Sequence, residues 1–443
     1  MNPFGLLLSL YIVNILVKKC GFEEKFIKLL TLTIFLELFI EVGYIFKVGS
    51  YEVLYSQFTT VFTGIFAVYI VMTRKIRVKH IIWSGALLFS LIIGMIMQII
   101  FPYSENIITY GMEWERFFLG GMSPPSITGA SWMLLVRFIA MVIIAIATVT
   151  ILNKEKLSKI IDNLYKYGMI VIGIIFFEWI LKNVFKTNVI SDLIEWIFGE
   201  GQGTINFFIQ RAGFFTIQGF MKEPSHLGAS LFNFGLVMII SHFNKNRKKK
   251  ALVIICLILF ISGSFRGAFN AISLICIFIF MNYNVAGFII VTIVATIIVI
   301  PILLSMDYFK YYVGRFMKVF NTIFSKQQYN LSSSELRVVT LIESYKLFLK
   351  RPLFGMGLGT TYAFGFMPTI LATTGFITFI TWFKFMFKTI GEYAKKKRNL
   401  VVVIALMITW NLQGQMEPAY SLITLLFCLE LRFFSSNKCA NEV

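Results

Sequence analysis

The stretch Arg211 to Gly228, RAGFFTIQGFMKEPSHLG, runs directly into an apolar segment, Leu227 to Ile240. It carries four ionisable side chains, Arg211, Lys222, Glu223 and His226. Pro224 interrupts its backbone, and glycines stand at 213, 219 and 228. If the apolar segment enters a bilayer, these charges crowd its mouth, where each costs desolvation unless it has a task. Two readings are open on these residues alone. The stretch is either a capping, snorkelling lead-in to a membrane helix, or half of an active site for a charged, lipid-linked substrate.

Outward from this stretch the chain is apolar to both ends. Of 443 residues, 58% are hydrophobic and 14% charged, and the mean hydropathy is +0.79, which no water-soluble domain shows. Apolar runs fall at Pro3–Val17, Phe26–Phe46, Tyr51–Met72, Ile81–Phe101, Ser131–Leu152 and Tyr167–Phe185. They continue at His226–Phe243, Ala251–Ser262, Gly267–Met281, Ala286–Ser305, Pro368–Lys388, Asn399–Gln413 and Ala419–Phe434. The expected fold is all-α, a polytopic membrane protein of about 12–14 transmembrane helices forming one integral membrane domain over 1–443. The first run lacks a basic leader and reads as a retained span.

The net charge of +19 is concentrated in short clusters between apolar runs, a positive-inside pattern that also suits anionic lipid; nucleic acid is not expected as a partner. Arg74–Lys79, Asn153–Lys159, Lys245–Lys250 and Lys395–Arg398 all fall on one side if the spans alternate, which makes that side cytoplasmic. The loops 102–130 and 186–224, the second holding the opening motif, then face outward. The long loop 306–366 should face outward too, yet it is basic, and its cations suit an anionic substrate. The five cysteines show neither zinc nor disulfide spacing.

Candidate chemistry is narrow. Asp162, Asp192 and Asp307 are the only aspartates and none pairs at DxD spacing, so no carboxylate metal site is expected and no cofactor is required. There is no Walker A loop and no HExxH motif. Of His80, His226 and His242, only His226 falls on the outward side. Arg266, in SGSFRGAFN, and Arg337, on an amphipathic stretch SSSELRVVTLIESYKLFLKRP, are further outward cations able to hold phosphate. Glu37, Glu41 and Glu178 lie in apolar runs and should each meet a cation or a polar cavity. A lipid pyrophosphate accounts for these features: glycosyl transfer from it needs cations on the leaving diphosphate and a base for the acceptor hydroxyl. Glu223 and His226 are the bases on offer, with Glu335 a third.

GFFTIQGFMKEPSHLGASL, SGSFRGA and ELRVVTLIESYKLFLKRPLFGMGLG, in that order, resemble the motifs of Wzy-type O-antigen and capsular polysaccharide polymerases, of the O-antigen ligase superfamily. The resemblance covers scattered motifs between Arg211 and Gly359. It implies a GT-C-like helical fold with extracytoplasmic loop helices, a bacterial inner-membrane location, and a metal-independent glycosyltransferase. That enzyme would move a growing glycan from undecaprenyl pyrophosphate to a lipid-linked oligosaccharide repeat unit, with a chain-length regulator protein as a further partner. Carried over, Arg211, Arg266 and Arg337 would bind pyrophosphate and Glu223 and His226 would be catalytic, with Lys222, Glu335 and Arg351 secondary. Gly355, Gly357 and Gly359 would shape the turn after the loop helix. Ligases of the superfamily carry a histidine in the last long outer loop; 306–366 has none, which favours polymerase. A ligase acting on lipid A core, and a flippase of lipid-linked oligosaccharide, are the alternatives.

Overall fold

The computed structural model describes residues 2–48, 51–107, 123–199, 210–211, 214–282, 310, 314, 317, 321, 333–361 and 365–390. The expected spans Ala286–Ser305, Asn399–Gln413 and Ala419–Phe434 lie outside these residues, as does most of 306–332. The structure is mostly helical. Among the described residues, five helices are long and apolar enough to cross a membrane, Tyr55–Thr73, His80–Ile100, Ser131–Ile151, Lys154–Asn183 and Phe366–Met386. Pro3–Val17, Pro224–Ile240 and Arg266–Ile279 are shorter apolar helices.

In chain order the elements are α1 Pro3–Val17, α2 Phe22–Phe39, β1 Phe46–Val48, β2 Tyr51–Val53, α3 Tyr55–Thr73, α4 Val78–Ile100, α5 Gly129–Ile151, α6 Lys154–Asn183 and α7 Val189–Phe198. Then follow β3 Gln210–Arg211, β4 Phe214–Phe215, α8 Pro224–Ile240, α9 Lys245–Ile261, α10 Phe265–Asn282, α11 Ser333–Lys350 and α12 Phe366–Ile390. The strands form two antiparallel hairpins, β1–β2 and β3–β4. The chain divides into two compact units. The first holds the described residues of Met1–Lys75 and Ala147–Lys310, the second those of Ile76–Ile146 and Tyr311–Leu425.

Within the first unit, α2 and α6 run parallel. Glu23 meets Lys156 at one end, and Phe35 packs on Tyr167 further along. Helix α8 runs antiparallel to both: Phe234 packs on Phe39, and a Cβ on Gly168 of α6 would stand 2.6 Å from the Phe234 ring. Helices α8 and α10 are parallel and close. A Cβ on Gly228 would fall 3.1 Å from the Gly267 nitrogen, and one on Gly235 would meet the Leu274 side chain at 2.6 Å, the same offset along both helices. Asn270 of α10 donates to the Gly228 carbonyl at 3.0 Å. Helix α8 is buried along nearly its whole length, so it is the core of this unit. An apolar sequence buried on every face is what a central bundle helix needs.

Two of the basic runs, Asn153–Lys159 and Lys245–Lys250, are helix starts, while Arg74–Arg77 is a loop and Lys395–Arg398 lies outside the described residues. Asn153 and Asn244 accept from the Lys156 and Arg247 amides, so α6 begins at Lys154 and α9 at Lys245. Asparagine capping lets lysine, a good helix former, extend the helix beyond the apolar segment. Helix α2 stops earlier than its apolar run, at Phe39, and the chain goes extended from Ile40 into β1.

In the second unit α4 and α12 pack side by side, and α11 packs on α12. After α11 the chain turns through Gly355, Gly357 and Gly359, with φ of 66°, 96° and 71°. The turn lies on a break in α12, where Gly375 leaves helical geometry. Met356 N–H donates to the Ala372 carbonyl (2.9 Å) and Gly357 N–H to that of Thr373 (2.8 Å). Only glycine adopts these φ values without strain.

Candidate active site

The loop Thr216–Glu223 closes the end of the first unit at which α8 and α10 begin. It is fixed from three sides. Asn183, at the end of α6, accepts from Phe215 N–H at 2.8 Å and donates to its carbonyl at 3.2 Å. Phe220 accepts from the Glu41 and Val42 amides at 2.9 and 3.1 Å. Gly219 N–H donates to Glu178 at 3.0 Å, with φ of 56° at this glycine.

Glu178 is the acid that the sequence leaves in need of a cation, and it finds Lys182 one turn on. The pair is 2.6 Å apart and each side chain is 1% exposed. With Gly219 satisfying its other oxygen, Glu178 binds the motif loop directly to the ion pair. A charge pair this deep is tolerated only when its hydrogen bonds are completed, and here Gly219 completes one.

Glu41 stands just past the end of α2 and reaches α8. Its two oxygens lie 2.8 and 2.7 Å from His226 Nδ1, and Lys222 N–H donates to it at 3.3 Å. Since a carboxylate only accepts, the Nδ1–H donates to Glu41, and Nε2 is left as the other ring position. Nε2 lies 3.9 Å from Glu223 Oε2, and Ser225 Oγ donates to that same oxygen at 2.8 Å. Burial pushes the Glu41 carboxyl up; His226 first, with Lys222, more than offsets this and leaves it below the ordinary carboxylate range. Glu223 caps the N-terminus of α8 with Pro224 in the first turn, and its side chain is 50% exposed. Gln218, 4% exposed, leaves its amide nitrogen without a hydrogen-bond partner among the described residues.

Arg266 occupies the first turn of α10, whose backbone lies against Gly228. The motifs GFMKEPSHLG and SGSFRGA therefore meet at one place, with two helix N-termini side by side. Such ends favour negative charge. Arg211 is on β3, paired with Phe214, and its side chain lies outside the described residues. Glu335 and Arg337 belong to α11, and their side chains too lie outside the described residues. Arg351, just after α11, donates to Gln98 at 2.8 Å, and Gln98 in turn donates to the Pro125 carbonyl at 2.7 Å; Arg351 also lies over the Tyr103 ring. Among the described residues no group of three or more His, Cys, Asp or Glu is placed to hold a metal ion.

Glu41, Glu178, Lys182 and Asn183 are site residues outside the motif, and Gln218, inside it, has no charge to single it out. Lys182 follows Glu178 at helical i,i+4 spacing, which is a readable signal. Glu41 is 185 positions from His226, and no local pattern connects them. Compared with known proteins, the chain matches no family model, and no curated protein matches it.

Proposed function

We propose that the protein is a membrane glycosyltransferase of the polysaccharide-polymerase type. It would transfer a growing glycan from undecaprenyl pyrophosphate onto a lipid-linked oligosaccharide repeat unit at the outer face of a bacterial inner membrane. The observation that best supports this reading is the clamp of Glu41 on His226 Nδ1, beside Glu223 and at the joined N-termini of α8 and α10. A carboxylate that fixes one ring nitrogen and the tautomer leaves the other as a base, the arrangement a hydroxyl acceptor requires. In the reaction the acceptor hydroxyl gives its proton to His226 Nε2 as its oxygen forms the new bond to the anomeric carbon. The bond from that carbon to the pyrophosphate oxygen breaks, and the lipid diphosphate leaves with the electron pair. Arg266, Lys222 and the two helix N-termini stabilise that leaving charge, with Arg211 assigned to the same task; Arg337 belongs to the second unit, and its phosphate-binding role rests on the motif resemblance. Glu223 steadies the protonated imidazole, and Gln218 offers its buried amide to the sugar.

The test is an assay of purified protein on lipid-linked repeat unit, read as product length on a gel. Wild-type protein makes a ladder. Arg266→Ala and Arg337→Ala leave single units, and Arg266→Lys recovers little, since lysine lacks the bidentate fork. A ladder of undiminished length from Arg266→Ala would overturn the proposal. In cells, loss of surface-attached single units together with polymer would point to a ligase or flippase instead.

A further inference from the structure

The opposite end of the first unit holds a cleft that the proposed reaction does not use. It has a volume of about 730 Å³ and lies between the start of α2, the end of α3 and the start of α6. Lys28, Arg74, Lys156 and Lys159 line it, against the two carboxylates of Glu23 and Glu24, so it carries an excess of positive charge. Glu23 holds the inner two cations in place: one oxygen takes Arg74 at 2.5 Å and the other takes Lys156 at 2.7 Å. Glu24 holds Lys28 at 2.6 Å. Glu155, outside the lining, holds Lys159 at 2.7 Å, and Lys156 also donates to the Ile151 carbonyl at 3.3 Å; a guanidinium has five N–H donors and an ammonium three, so each cation keeps a donor for a further acceptor.

Apart from Thr73 and Asn163, the rest of the wall is apolar. Phe22 and Tyr69 both line the cleft, stack at 4.3 Å and are about half exposed, and Ile27 continues the surface over the buried Ile70. Helix α2 starts here at Gly21, which has no side chain to cap the first amides. Cations held by carboxylates, an exposed aromatic pair and open helix amides together match a ligand with a phosphate at one end and hydrocarbon at the other. Arg74 and Lys156–Lys159 also belong to the basic clusters that mark the side facing anionic lipid.

We infer that this cleft binds the headgroup of an anionic phospholipid. The phosphate meets Arg74, Lys156, Lys28 and Lys159, and the start of the acyl chains lies on Phe22, Ile27 and Tyr69. The chemistry recognised is a phosphate, which a lipid or a free anion can supply, and the two sources are separated by experiment.

Full-length protein in neutral detergent is heated with phosphatidylglycerol, phosphatidylcholine or inorganic phosphate at matched ionic strength, and the unfolding midpoint is followed by tryptophan fluorescence. Phosphatidylglycerol raises the midpoint by several degrees more than phosphatidylcholine does. The double variant Lys28→Gln with Lys159→Gln, which removes two local i,i+4 ion pairs at half-buried and exposed positions and leaves folding intact, loses at least half of that rise. The control Lys249→Gln with Lys250→Gln, equal in charge but on α9, keeps it. An equal rise with inorganic phosphate would make the cleft a free-anion site and overturn the lipid. Equal losses in both double variants, or no difference between the two lipids, would overturn the cleft itself. Polymer formation is a separate readout, so this inference and the proposed activity stand or fall independently.

Discussion

The two ends of the first unit answer the same problem, a carboxylate among cations, in opposite ways. At one end Glu23 meets Arg74 and Lys156 in a cleft open to solvent, with side chains 29–58% exposed. At the other, Glu41 and His226 are 29% and 34% exposed but both Glu41 oxygens lie on one imidazole nitrogen, and only Glu178 and Lys182 are shut away, at 1% exposure beneath the motif loop. Open ion pairs exchange partners with solvent and contribute little to stability, whereas enclosed pairs fix geometry and are costly to break. The cations of one end thus stay reachable from solvent, while the other end holds one histidine in one orientation.

The comparison breaks most visibly in catalysis. His226→Ala is expected to lower polymer formation by about 10²- to 10⁴-fold, the usual worth of a positioned base, while Glu23→Gln changes it less than about twofold. Initial rates on lipid-linked substrate measure both; comparable losses would erase the distinction between the ends.

Stability separates the ends next. Lys182→Met, which strands the Glu178 charge, should cost about 3–5 kcal/mol, and Lys156→Met less than about 1 kcal/mol. The double variant Glu178→Leu with Lys182→Met should recover a large part of the loss, because no lone charge remains. Denaturant or thermal unfolding in detergent reads all three.

Packing gives a smaller effect. Gly228→Ala places a methyl group 3.1 Å from the Gly267 nitrogen, a backbone atom that yields only if α8 and α10 move apart, and about 1–3 kcal/mol is expected. Gly21→Ala, at the basic end, has nothing within 4 Å and an extended backbone, so stability should change by no more than about 0.5 kcal/mol.

The smallest contrast is in pH. Glu41 has its native value lowered, so its contribution is complete above the ordinary carboxylate range and is lost as the pH falls through the depressed native value. The gap in unfolding midpoint between wild type and Glu41→Gln should therefore narrow as the pH drops below about 4. A gap that widens toward acid would contradict the sign of the interaction.

Much of this is legible in the residues. A chain this apolar is read as helical and membrane-spanning, and the structure is mostly helical with apolar helices of crossing length. Pro224 interrupts the chain where α8 begins, whereas the close approach of Gly228 to Gly267 is not legible in either glycine's surroundings. The helix limits are harder to read. The basic starts of α6 and α9 look like loops because charge interrupts the hydropathy, while the capping asparagines carry the helix through it. The sequence determines the helical, membrane-spanning character of the chain, because composition and hydropathy decide that. That His226 belongs to Glu41, that Gly219 is held by Glu178 and that Arg266 stands beside Gly228 are decisions of the tertiary structure alone. Each joins residues tens to hundreds of positions apart, and only the antiparallel and parallel packing of α2, α6, α8 and α10 brings them within a hydrogen bond or a van der Waals contact.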